Sequence, residues 1–67
     1  MKLSARNQLK AKVKEIVKGQ VMAKVVLDYK GDRLVSLISV DAVNELGIKS
    51  GDEVTAIVKA TEMMIAK

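Results

Sequence analysis

Cysteine and histidine are both absent from this sequence, and so are proline, tryptophan and phenylalanine. Each absence excludes something. Without Cys there is no disulfide framework, no thiolate nucleophile and no Cys-ligated zinc or iron–sulfur centre. Without His the usual general base and the usual zinc ligand are missing. Tyr29 is the one aromatic residue, so the row of ring platforms on which single-stranded nucleic acids stack is missing too. No apolar run approaches the roughly 20 residues of a membrane span. These gaps disfavour an enzyme and make binding or assembly the default role.

What is present raises a second point. The chain has 67 residues, 49% of them hydrophobic. Ten Val, five Ile and six Leu are many for such a length. A domain this small buries only roughly 60% of its unfolded surface, against an ordering cost of about 1.5 kcal/mol per residue. Small domains add disulfides, metals or oligomerisation. The first is impossible and a structural zinc is disfavoured, so apolar surface shared between subunits is expected.

The net charge of +4 is unevenly spread. Residues 1–24 carry Lys2, Arg6, Lys10, Lys12, Lys14, Lys18 and Lys24 against Glu15 alone. Residues 25–67 carry five basic and seven acidic groups. A basic end points to an anionic partner. Polar Ser4, Arg6, Asn7 and Gln8 interrupt any signal-like apolar stretch after Lys2. The expected location is the cytoplasm.

The hydrophobic pattern is mainly that of strands. Leu9, Ala11 and Val13 alternate with Lys10, Lys12 and Lys14. The phase slips at Glu15, which predicts a bulge. Gly19–Gln20 reads as a turn. Residues 22–29 form a second strand with Ala23, Val25, Leu27 and Tyr29 on one face. Lys30-Gly31-Asp32 is a hairpin turn. Residues 33–39, apolar on both faces, predict a strand buried on both sides. The period then changes: Val40, Val43 and Leu46 stand three apart, Ser39 or Asp41 can cap, and Gly47 suits a helix end. Residues 53–59 are a fourth strand and 63–66 a short fifth. Together these predict an all-β chain with one short helix, an OB-like five-stranded β-barrel.

Three stretches could carry chemistry. Ser4-Ala5-Arg6-Asn7-Gln8 clusters a hydroxyl, a guanidinium and two amides with no carboxylate. It is either a solvated arm or an anion cradle with Arg6 as the forked donor. Val58-Lys59-Ala60-Thr61-Glu62 leads from a strand into a polar break, where backbone amides can form an anion nest. Its bland alternative is an exposed Lys and a turn Thr. The connector from Leu46 to Val54 reads as structural. The lysine stripe reads as a solvated face, and Met63-Met64 as packing. No pair of acids has the spacing of a catalytic dyad or a calcium loop.

The paired motifs Ser4-Ala5-Arg6-Asn7-Gln8-Leu9 and Val58-Lys59-Ala60-Thr61-Glu62-Met63-Met64-Ile65, with the connector and the length, resemble the molbindin (Mop) family over essentially the whole chain. The resemblance implies a single Mop/TOBE-like domain over residues 1–67. It implies a cytoplasmic protein for storage or homeostasis of molybdate or tungstate, with no organic cofactor. It also implies OB-like subunits, strand-exchanged dimers and a hexamer of three dimers, with oxyanions in pockets between subunits. By motif, Ser4 and Arg6 of one subunit and Lys59, Ala60 (through its amide) and Thr61 of a neighbour would form a pocket. Asn7 lies within the motif, and its contact is less direct. Lys18, Gly19 and Gln20 are loose candidates for a second kind of site.

The chemistry agrees with that implication. Molybdate near neutral pH is a tetrahedral dianion with acceptors only, and a pocket of donors suits it. Monohydrogen phosphate would bring a proton with no acceptor to meet it. Sulfate has no such proton, so size must reject it. A nucleic-acid module, of OB type or like the AbrB swapped-hairpin regulators, is the competing class. The connector fits the latter equally; the missing aromatics and the N-terminal motif do not. A detached regulatory domain, like the accessory domains of molybdate transporters and repressors, is a further alternative.

Overall fold

A computed structural model describes residues 2–67. Its elements are β1 (Asn7–Lys18), β2 (Met22–Tyr29), β3 (Asp32–Ser39), α1 (Val40–Leu46) and β4 (Glu53–Val58), then a 3₁₀ turn at Ala60–Glu62. The strands form one antiparallel sheet in the order β3-β2-β1-β4.

The alternation in the sequence sets the faces of this sheet. Leu9, Ala11 and Val13 of β1 lie opposite Ala56, Val54 and Leu27. Ala23, Val25 and Leu27 of β2 lie opposite Ile38, Ser36 and Leu34. Ala11, Val13, Ala23, Val25, Leu27 and Val43 form the buried core. The phase slip is a bulge between Val13 and Glu15. It leaves Glu15 exposed and returns Ile16 to the core side opposite Val25, so β1 runs on to Lys18. The connector fastens this point. The Val13 N–H donates to the Asp52 carbonyl at 2.8 Å, and the Gly51 N–H donates to the Val13 carbonyl at 2.7 Å.

The β2–β3 hairpin turns on Lys30 and Gly31, both at positive φ (51° and 91°). Two left-handed residues match the twist of the flanking strands. The Asp28 carboxylate accepts from the Gly31 N–H at 3.1 Å and steadies Lys30 in that conformation. Helix α1 begins as expected. Ser39 Oγ accepts from the Ala42 N–H at 3.0 Å, and Gly47 ends the helix in the left-handed region. Val43 is buried, whereas Leu46 is 72% exposed.

Two expectations are corrected. The sheet has four strands, and residues 63–66 are not a fifth. Met63 is extended, but residues 63–67 have no ladder partner among the described residues, and a strand exists only through pairing. The third strand is not buried on both sides. It is an edge strand whose outer residues Val35 and Leu37 are 49% and 67% exposed. Both edges, β3 and β4, border an apolar slot of about 630 Å³ lined by residues including Leu9, Leu34, Ile38 and Ala56. The four strands therefore leave this slot open between the two edges.

Candidate functional site

The first pair of the β1–β4 ladder is Asn7 with Val58. That pairing joins the two motifs. Arg6 directly precedes Asn7 and Lys59 directly follows Val58, so continuing the register sets Arg6 against Lys59. Like charges facing each other across strands are destabilising. The ladder stops at that position, with two cations at one end of the sheet.

Backbone geometry adds donors beside them. Lys59 is extended (φ −63°, ψ 139°) and the chain then tightens into the 3₁₀ turn. The Glu62 N–H returns to the Lys59 carbonyl at 2.8 Å, and the Met63 N–H to the Ala60 carbonyl at 3.4 Å. The first N–H groups of such a turn, those of Ala60 and Thr61, have no partner within it. On the other strand Gln8 Nε2 donates to the Ala5 carbonyl at 3.0 Å, which shapes the segment before β1. Asn7 Nδ2 donates to the Val58 carbonyl at 3.0 Å in a part-buried bond. Among the described residues, the side-chain hydrogen bonds engage neither the Arg6 guanidinium, the Lys59 ammonium nor the Ser4 and Thr61 hydroxyls. Ser4, Arg6, Lys59, Ala60 and Thr61 are exposed, and Asn7 is half-buried. This end of the molecule is a cluster of hydrogen-bond donors and positive charge, open on its outer side.

The family model of the TOBE domain matches residues 3–65 of the chain. The chain belongs to the TOBE family. A TOBE relative from Clostridium pasteurianum, molybdenum-pterin-binding protein 2, is 54% identical over 66 residues, covering 97% of each chain. A solved molybdate-binding protein from Sporomusa ovata superposes with a TM-score of 0.97 at 61% identity, covering 100% of both chains. The cytoplasmic molybdate-binding protein ModG, solved with molybdate bound, matches with a TM-score of 0.87 at 41% identity. That match covers 92% of this chain and 45% of ModG. Within the TOBE family, this chain groups with the single-module Mop proteins.

The sequence motifs fall unequally on this framework. Ser4, Arg6, Asn7, Lys59, Ala60 and Thr61 share one end of the sheet through the Asn7–Val58 pair. Lys18, Gly19 and Gln20 lie at the other end of β1, on the order of 30 Å along the strand at about 3.3 Å per residue. There Lys18 Nζ donates to Asn44 Oδ1 at 3.1 Å, and the Gly19 N–H to the Met22 carbonyl at 2.8 Å. These residues are not brought to the Arg6–Lys59 cluster. Sequence reading missed two participants: Asn44, the partner of Lys18, and the Val58 carbonyl, the partner of Asn7. Asn7 and Val58 stand 51 positions apart, and only the strand register reveals that contact. Among the described residues, no three or more Asp and Glu side chains cluster as a metal-ion site would require. Among the described residues, no helix is long and apolar enough to cross a membrane.

Proposed function

We propose that this chain binds molybdate, or the similar tungstate, as an intact oxyanion, and serves storage or homeostasis of that anion in the cytoplasm without catalysing a reaction. The observation that carries this is the meeting of Arg6 and Lys59 at the end of the β1–β4 ladder. A dianion between them turns a repulsive pair into an attractive one. Arg6 and Lys59 supply charge, Ser4 and Thr61 supply hydroxyl donors, and Ala60 supplies its main-chain N–H. The site has no carboxylate among these residues, which suits a ligand made only of acceptors. The structural neighbours are named for molybdate, which supports the same ligand; the Clostridium relative is named for molybdenum-pterin and shares the metal.

The resemblance divided Arg6 and Lys59 between two subunits, whereas the β1–β4 register sets both at one end of the same chain's sheet; in this proposal a second copy closes the open side of that cluster. Its residues are exposed in a lone protomer. The open slot between the β3 and β4 edges, and the tail of residues 63–66, which has no ladder partner among the described residues, support strand exchange between two copies. Exposed Val35, Leu37 and Met22 offer apolar surface for building further to a hexamer. Lys18, Gly19 and Gln20 remain candidates for a second kind of anion site at the far end of β1.

Native mass spectrometry with and without molybdate tests the reading. A hexamer that gains several oxyanions is expected. A monomer that gains none overturns it. Salt-sensitive RNA or DNA binding with no response to molybdate would favour a nucleic-acid module instead.

A further inference from the structure

The two donor-rich motifs hold one acid between them, Glu62, and the fold sets it beside Lys59. The Glu62 N–H donates to the Lys59 carbonyl at 2.8 Å. A bond from the fourth residue of a turn back to its first holds their Cα atoms within about 7 Å. The Glu62 carboxylate is thus tethered within reach of the Lys59 ammonium. Glu53, the acid that opens β4, pairs with Lys12 at the other end of the β1–β4 ladder, roughly 17 Å along the strand.

The turn itself does not use that charge. It is closed by main-chain bonds and carries no side-chain cap. Lys59 and Glu62 are both exposed, and neither enters the side-chain hydrogen bonds of the described residues. Lys59 meets Arg6 at the ladder end, so a counterion there is favourable. A carboxylate on a short tether competes for that role at high effective concentration. Glu62 brings one negative charge to one of the two cations. A tetrahedral dianion brings two and reaches both.

We propose that Glu62 is the resident counterion of Lys59, a positioning residue that engages the ammonium while the site is empty and yields it to a dianion. This assignment rests on the anion-binding reading. Its consequences are selectivity and release. A monovalent anion offers Lys59 no more charge than Glu62 already does, so it displaces the carboxylate poorly. Molybdate displaces it with some loss of affinity, and that loss keeps the bound anion exchangeable, as storage requires. The Lys59–Glu62 relation lies within one turn of one chain, so it holds however the subunits assemble.

The test uses the full chain in its solution assembly, with molybdate as the probe and calorimetry as the readout. Glu62→Gln should bind molybdate roughly two- to fivefold more tightly, the range of an exposed ion pair, with its denaturation midpoint in place. Glu53→Gln makes the same change in net charge at the far end of β4 and should leave affinity as it is. In a Lys59→Met background, Glu62→Gln should bring no gain, since a double-mutant cycle isolates the coupling. Nitrate, a monovalent competitor, should displace molybdate more readily from Glu62→Gln than from the unaltered protein. Equal or weaker molybdate affinity in Glu62→Gln overturns the assignment. So does an equal gain from Glu53→Gln, which is a net-charge effect, or a gain that persists without Lys59, which is direct repulsion of the anion. Where Lys59→Met binds too weakly to titrate, the nitrate competition decides, and competition unchanged by Glu62→Gln overturns the assignment. Each of these outcomes leaves the anion reading intact. No molybdate binding by the unaltered protein overturns that reading itself.

Discussion

The two regions where β4 and its approach meet β1 contrast sharply. At Val13, both main-chain groups are satisfied by the connector, at 2.8 and 2.7 Å, and the side chain is 1% exposed. At Asn7, six residues earlier, the ladder ends in two cations, two hydroxyls and a turn with unpartnered N–H groups. The first region uses its hydrogen-bonding capacity on itself and is a structural anchor. The second leaves its charged and hydroxyl donors without side-chain partners among the described residues, and it is where the proposed oxyanion would bind. Donors left over at a strand end, with no acceptor of like number nearby, are what an oxyanion requires. The same strand thus separates stability from binding along its length.

That separation can be broken or sharpened by substitution. The largest expected effect is at the anchor. Val13→Ala should lower unfolding free energy by about 2–3 kcal/mol, through lost burial and the cavity left behind. Denaturant titration measures this, and calorimetry on the folded fraction should show unchanged molybdate affinity. Arg6→Ala should do the opposite. A charge-assisted contact is worth about 1.5–3 kcal/mol, so affinity should fall roughly 10- to 100-fold while the denaturation midpoint stays in place. Equal affinities for Arg6→Ala and the unaltered protein would remove Arg6 from the site. Ser39→Ala should cost about 1 kcal/mol by uncapping α1, again with no change in binding, since the cap lies outside the Asn7 end. The smallest contrast is at Thr61. Thr61→Ala should weaken binding by about 1 kcal/mol, or roughly fivefold. Thr61→Ser, which keeps the hydroxyl, should bind nearly as the unaltered chain does.

Much of the fold was legible in one dimension because its signals are local. Alternation of Leu9, Ala11 and Val13 reports a half-buried strand whatever it pairs with. The phase slip at Glu15 requires an extra residue, and the bulge supplies it. Ser39 and Gly47 mark a helix because their own backbone chemistry suits its ends. The failures were of another kind. Residues 63–66 have a strand-like composition, but pairing is a property of two segments, and the tail has no ladder partner among the described residues. Val35 and Leu37 look like core residues, yet they lie on an edge strand with nothing over them. Leu46 fits the helical period and still faces solvent, because a helix of seven residues buries little beyond Val43. These apolar positions match the surplus of Val, Ile and Leu that made shared surface an expectation from the start.

By itself the sequence determined which chemistry is possible. Lacking Cys and His, it rules out thiolate and imidazole ligation; with two donor-rich motifs whose one acid is Glu62, it favours an anion. Residue types decide this, and no folding is needed. Only the tertiary structure decided that the two motifs share one end of the sheet. Asn7 and Val58 are neighbours because antiparallel pairing of β1 with β4 folds a separation of 51 residues back on itself. The same pairing sets Arg6 against Lys59 and turns two ordinary surface cations into a charge pair in need of a counterion.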